Sequence, residues 1–249
     1  MHIRTIKNIV IGGIAGAAMG LCVSAVVNTF ITSQKSRTSA PLADNCGPND
    51  LACLPARMQQ RIDFLLQKEQ LPCGNMAKNR RYVHEEALLC NGKTASFEYR
   101  VDLPEWEQLG NCHAAAFWAA TGAGGLENQI AMAYPECLPE LLGKYGYSRI
   151  ADAIPSEGFI DQLRPGDFLM YMLVGDDTDF PFQFETGFSF HVEHSAIYVG
   201  KIGGLPLVFE KRGMGCGEDH KFSLGFSSME TAAWKPTRIM VLRRPINEH

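Results

Sequence analysis

The chain has no run of lysines and arginines, and its net charge is −4. It therefore carries no electrostatic footprint for a nucleic-acid backbone, and no nucleic-acid partner is expected. No internal repeat is evident. No close cysteine pair faces a second close cysteine or histidine pair, so the spacing of a structural zinc site is missing. No metal and no cofactor is expected. From Ile9 to Ile31 there is no charged residue at all.

That uncharged stretch is 23 residues long, enough to cross a hydrocarbon core of about 30 Å as a helix. Arg4 and Lys7 precede it, which favours a cytoplasmic N-terminus. A cleaved signal peptide is the alternative, but its apolar core is ordinarily shorter and is followed closely by a small-residue site. Residues 1–34 are therefore expected to be a membrane anchor or signal segment. The protein would be periplasmic or cell-surface, held to the inner membrane by one helix, or secreted if the segment is removed. Residues 35–75 read as a cysteine-containing tether followed by a helix within Leu54–Gln70, with Ile62, Leu65 and Leu66 at helical spacing. Residues 76–249 are left for one catalytic domain.

Eight cysteines are present. Cys22 lies in the apolar stretch. Cys46, Cys53, Cys73, Cys90, Cys137 and Cys216 make an even set suited to an exported protein. Pairing neighbours gives Cys46–Cys53, Cys73–Cys90 and Cys137–Cys216. Cys112 is the odd thiol.

Cys112 belongs to Gly110-Asn-Cys-His-Ala-Ala-Ala-Phe-Trp-Ala-Ala-Thr-Gly122. The alanines are strong helix formers, Asn111 suits the N-cap, and Gly122, Gly124 and Gly125 offer exits. Cys112 then sits on the first turn, where free N–H groups and the helix dipole favour a thiolate. A buried structural cysteine is the plainer alternative.

A cysteine nucleophile needs a base and a group to orient that base. Of the seven histidines, His2 and His249 are terminal, and His84 and His220 lie in polar surroundings. His113 adjoins Cys112, but adjacent helical positions do not face each other. His191 and His194 begin a strand, His-Ser-Ala-Ile-Tyr-Val-Gly. By alternation His194, Ala196 and Tyr198 share one face, with Ile197 and Val199 on the other. The following turn holds Gly200, Gly203 and Gly204. A hairpin symmetric about Ile202 sets His194 directly opposite Glu210, at a Cβ separation of about 4.5–5.5 Å. Cys112, His194 and Glu210 are thus the candidate catalytic residues, with Tyr198, Tyr171 and His113 as candidate substrate contacts.

Elsewhere, Cys73–Cys90 reads as a loop-rich segment and Thr94–Val101 as a strand. Leu126–Tyr147 is helical, broken at Pro135 and Pro139. Leu163-Arg-Pro-Gly-Asp turns into an apolar strand, with Asp167 capping the turn. Phe180, Phe182, Phe184, Phe188 and Phe190 occupy even positions, which fits a half-buried strand or an aromatic lip on a substrate cleft. Further strands are expected at His194–Val199, Pro206–Lys211 and Arg238–Arg243.

The order of a cysteine helix, Arg164-Pro-Gly-Asp-Phe, and His194-Ser-Ala-Ile-Tyr-Val-Gly200 followed by a polar third residue resembles the NlpC-type cell-wall cysteine peptidases. The resemblance covers roughly residues 105 to 215. It implies an α+β fold with a papain-like core, N-terminal helices packed on a central antiparallel sheet. It also implies a Cys112–His194–Glu210 triad cleaving amide bonds in peptidoglycan stem peptides. The wider superfamily includes acyltransferases and lipid-acting enzymes, so an acyltransferase or thioesterase is the alternative. A non-catalytic binding module of the same fold is the third reading.

Overall fold

The computed structural model describes residues 54–68, 81–104, 108–154, 157–175, 182–183, 189–212, 224–229 and 238–245. The chain divides into two compact units, Met1–Asp44 and Asn45–His249, and every described residue lies in the second. The expected span Ile9–Ile31 lies outside the described residues. None of the described helices is long and apolar enough to cross a membrane.

Within the second unit the fold is α+β. Helix α1 spans Ala56–Lys68, and Met58, Ile62 and Leu65 form its buried stripe. A hairpin follows, β1 (Tyr82–Leu88) against β2 (Thr94–Arg100). Helices α2 (Cys112–Thr121) and α3 (Gly125–Ala133) come next, then a 3-10 turn at Pro135–Cys137 and α4 (Leu138–Gly143). The rest is β3 (Ser148–Ala153), a short helix α5 (Glu157–Ile160), and β4 (Phe168–Gly175) to β9. The last five strands are β5 (Phe182–Gln183), β6 (Ser189–Ile202), β7 (Leu205–Lys211), β8 (Leu224–Ser228) and β9 (Arg238–Arg243).

The main sheet runs β3-β9-β4-β6-β7-β8, with β5 paired to the start of β6, and its pairings are antiparallel. One face packs around Leu169, Tyr171, Ala196, Tyr198, Val208 and Val241. Ile197, Val199 and Phe209 are equally inaccessible, so both faces of the central strands are covered. Helix α2 lies against β6 and β7 and is buried nearly all round, from Ala114 to Ala120 with only Trp118 part-exposed. Small residues allow that close approach.

Helix α1 packs onto α2. The Arg61 guanidinium donates to the carbonyls of Ala119 and Ala120, each at 2.7 Å, and so satisfies the orphan acceptors at the C-terminus of α2. The helix assigned from sequence to the tether is therefore part of the same compact unit. The segment Cys73–Cys90 is not all loop. Tyr82–Leu88 is a strand whose side chains are alternately exposed and half-buried. Polar cross-strand contacts, His84–Glu98 at 3.4 Å and Tyr99 to Glu85 at 3.0 Å, replace the apolar alternation that would have betrayed it.

The Arg164-Pro-Gly-Asp turn fastens β4 to β6. Gly166 N–H donates to the Tyr198 carbonyl at 2.8 Å, and Tyr198 N–H donates to the Asp167 carbonyl at 2.9 Å. Asp167 caps the turn as expected, accepting the Arg164 N–H at 2.8 Å, and also takes both arms of Arg243 at 2.6 and 2.7 Å. Gly166 has φ +97°, and a Cβ there would meet Pro55 Cδ at 2.9 Å. The position needs glycine for both reasons.

Cys90 is bonded to Cys137, 47 residues away. This overturns the pairings Cys73–Cys90 and Cys137–Cys216. The fold brings the hairpin turn after β1 against the turn between α3 and α4, so proximity in space overrides proximity in sequence. Cys46, Cys53, Cys73 and Cys216 lie outside the described residues. A peptide linking Cys90 to Cys137 should appear in non-reducing digests. Replacing both by serine should cost about 2–4 kcal/mol in denaturant unfolding, the range for a bond closing a loop of this size.

Candidate active site

Asn111 caps α2 as its chemistry suggests. Its side-chain oxygen accepts the Ala114 N–H at 3.0 Å, and its amide donates to the Met132 carbonyl at 2.9 Å. The second bond ties the head of α2 to the end of α3. Cys112 is therefore the first helical residue, a part-exposed thiol and the free cysteine among the described residues.

His113 and His194 are the side chains that act on its ionisation. His194 Nε2 lies 2.7 Å from Glu210 Oε2. Glu210 Oε1 accepts from Arg212 Nε at 3.1 Å and from the Ser227 hydroxyl. Both the imidazole and the carboxylate are buried. The structure thus brings together Cys112, His194 and Glu210, the three residues chosen from sequence.

The register that joins His194 to Glu210 differs from the symmetric hairpin. The turn is Gly203-Gly204, both at positive φ, with Ile202 opposite Leu205. A bulge at Val199 follows, and Ile197 then pairs with Phe209. Glu210 consequently lies across from Ala196, and His194 is its diagonal neighbour. The shift is two residues, so the parity survives and both side chains keep the same face. A diagonal pair is within reach of long side chains.

A second irregularity lies beside the imidazole. Tyr171 pairs with His194 and Met172 with Val192, so Glu193 is an extra residue in β6. Bulges of this kind re-aim side chains next to active sites. The Tyr171 ring packs on His194, centroids 5.6 Å apart.

The electrostatics follow from these contacts. Burial opposes ionisation of Cys112, but hydrogen bonds and charge from His113 and His194 outweigh it and hold the thiol at about 5 against an ordinary 9.0. Burial likewise disfavours charged His194, yet Cys112 and Glu210 raise it from 6.5 to about 9. Glu210, penalised by burial, is brought down to about 2 by His194, Ser227 and Arg212. Between about pH 5 and pH 9 the pair is a thiolate beside an imidazolium.

The other sequence candidates fall elsewhere. His191 is half-exposed and lies 3.7 Å from Glu136 and 3.6 Å from Glu193; Cys112 takes His194 instead. Tyr171 and Tyr198 are sealed into the core cluster at 4% and 0% exposure, which corrects their assignment as substrate contacts. Alternation placed Tyr198 on the His194 side but could not show that this face is covered. Both hydroxyls are without a hydrogen-bond partner among the described residues. His113 is also buried and lies 2.9 Å from the Ser195 hydroxyl, so it too is not on an open surface. Of the phenylalanine segment, the backbone pairs Phe182 with Phe190; Phe180, Phe184 and Phe188 lie outside the described residues. Ser227 and Ser195 were not singled out from sequence, because their roles depend on strand registers. Among the described residues no cluster of three His, Cys, Asp or Glu side chains is set to hold a metal ion.

No family model, curated protein or solved structure matches this chain.

Thiolate formation gives a direct check. Alkylation of Cys112 should accelerate as pH rises through about 5, where an ordinary thiol would require about 9. Glu210→Gln removes an influence that raises His194. The imidazolium should then deprotonate at lower pH, drawing in the alkaline limit of the ion pair by about one unit or more. An alkaline limit unchanged in that variant would remove Glu210 from the relay.

Proposed function

We propose that this protein is a cysteine hydrolase with a papain-like core, cleaving amide bonds in peptidoglycan stem peptides through an acyl-enzyme. The observation that supports it most directly is a thiol at the head of a buried helix whose ionisation is coupled to His194, itself 2.7 Å from Glu210.

The Cys112 thiolate attacks the carbonyl carbon and forms a C–S bond. The developing oxyanion lies by the head of α2, where the Cys112 N–H is a donor that the Asn111 cap, spent on Ala114, leaves over. The His194 imidazolium gives its proton to the amine nitrogen as the C–N bond breaks. Neutral His194 then takes a proton from water, and the hydroxide attacks the thioester carbon. Breaking the C–S bond releases the acid and restores the ion pair. Glu210 holds the ring throughout by its Nε2–H.

The peptidoglycan substrate rests on the sequence resemblance around Arg164-Pro-Gly-Asp and His194-Ser-Ala-Ile-Tyr-Val-Gly200. An exported location, with membrane attachment through residues 1–34, is consistent with the Cys90–Cys137 disulfide, since such bonds persist in oxidising compartments.

Incubation of the full chain with purified peptidoglycan should release new amino groups, and Cys112→Ala should abolish the release. His194→Ala should lower the rate by about 10²–10⁴-fold, and activity should fall off below about pH 5 and above about pH 9. Acyl transfer from lipid with no wall products would overturn the substrate class. Undiminished release by Cys112→Ala would overturn the mechanism.

A further inference from the structure

The Glu210 carboxylate has two oxygens, and the chemistry above uses one. Oε2 faces His194 Nε2 at 2.7 Å, while Oε1 accepts from the Ser227 hydroxyl and from Arg212 Nε. Strand register decides what reaches it. Directly across on β8 stands Gly225, which has no side chain, and a Cβ there would meet nothing within 4 Å. The carboxylate is therefore not held from straight across. Ser227 pairs with Val208, so its hydroxyl leaves β8 on the Glu210 face and reaches the carboxylate along a diagonal. His194 reaches it along the opposite diagonal, from β6. Glu210 is clasped between its two neighbouring strands, one oxygen to each.

The two donors at Oε1 differ in kind. Ser227 is 6% exposed, and a hydrogen bond to a charged acceptor is strengthened where water is excluded. The Arg212 side chain is 64% exposed, so water and salt screen its charge. The last torsion of a glutamate is soft. Without an enclosed bond on the far oxygen, the carboxylate plane would turn and the imidazole on Oε2 would turn with it.

The charged and titratable groups around this pair are few. Arg212 faces the carboxylate from β7, Tyr171 packs on the His194 ring from β4, and Cys112 acts on that ring from α2. Strand β8, Leu-Gly-Phe-Ser-Ser, brings no titratable side chain.

Resting on the reading of His194 as the acid and base of the cycle, we propose that Ser227 is a positioning residue for the triad, its bond to Oε1 fixing the plane of the Glu210 carboxylate and so the direction in which Oε2 holds His194. Ser227 touches no reacting atom, and no proton leaves it. Arg212 adds charge to the same oxygen, and salt removes most of that contribution.

The test uses the full chain in detergent micelles with two readouts. The Cε1–H resonance of His194, assigned by its loss in His194→Gln, is titrated by NMR. The pH profile of amino-group release from peptidoglycan is followed beside it. Ser227→Ala weakens the hold on the imidazolium, so the ring should lose its proton at a pH lower by about half a unit to one unit, short of the shift in Glu210→Gln. The alkaline limit of release should move with it. Ser227→Thr, which keeps a hydroxyl, should restore the wild-type value. With Glu210 already replaced by Gln, Ser227→Ala should add no further shift. Arg212→Gln should shift the titration less than Ser227→Ala does, and high salt should reproduce the smaller shift in wild type.

A structural role alone would lower the unfolding midpoint without moving either pH value. A folded Ser227→Ala that titrates as wild type overturns the proposal, and so does an equal shift in the Glu210→Gln background. A larger shift in Arg212→Gln than in Ser227→Ala overturns it as well. Should Ser227→Ala fail to fold, Ser227→Cys, similar in size and a weaker donor, is judged by the same criterion. The ring titration does not depend on turnover. Absence of release by wild type sinks the hydrolase reading, whereas the NMR titration alone decides the role of Ser227.

Discussion

A carboxylate in a protein interior is tolerated only when its lone pairs are occupied, and Glu210 meets that condition with three donors. His194, Ser227 and Arg212 all bond to it. Removal of any charged group from water is costly, and the cost is recovered only with close geometry and saturated hydrogen bonding. Once Glu210 is anionic, His194 stays protonated despite its own burial. Once His194 is protonated, the Cys112 sulfur stays ionised despite being mostly enclosed. The order of dependence runs from the sheet to the helix. The reactive group is the last link and the one that makes least of its own stability.

The scaffold is arranged to keep that order intact. The turn at Arg164–Asp167 bonds to the backbone of Tyr198 on both sides, which fixes β4 against β6. Bulges at Glu193 and Val199 lie on either side of His194 and adjust where the strand's side chains aim. Helix α2 approaches β6 and β7 on small side chains, and both its ends are tied, by Asn111 at the head and Arg61 at the tail. A helix held at both ends and buried between cannot slide, so its first residue meets the imidazole at a constant place.

How much of this the amino-acid order discloses depends on the range of the interaction. Local signals were legible: the cap at Asn111, the helix exit at Gly122, the turn ahead of Phe168 and the parity of His194. The pairing of His194 with Glu210 came through although the assumed register was wrong by two residues. Alternation carries information modulo two, and the glycine turn limits the choices further. Long-range facts were not legible. The Cys90–Cys137 bond joins elements whose adjacency only the tertiary fold creates. Tyr198 read as lining a site because period alone cannot distinguish an open face from a covered one. The strand at Tyr82–Leu88 was hidden because polar pairs stabilise it. Ser227 and Ser195 carry no sequence signal, since serine is common and the register decides its neighbours.

A third residue with full charge has a consequence for the proposed cycle that a neutral amide would not have. Two anions raise His194, the Cys112 thiolate and the Glu210 carboxylate. Attack on the acyl carbon consumes the first of them. As the C–S bond forms, negative charge leaves the sulfur for the oxyanion, and the imidazolium becomes more acidic at the moment the leaving nitrogen needs a proton. Glu210 remains, and burial now counts against a charged ring with only one anion beside it. The ring therefore stays neutral more readily in the thioester than in the free protein, as the deacylating water requires. When the C–S bond breaks, the thiolate returns and the ring is again held protonated. A base strong enough to keep its proton at rest and weak enough to release it in turnover needs a changing partner and a constant one. Cys112 supplies the changing charge, and Glu210, held by Ser227 and Arg212, supplies the constant one.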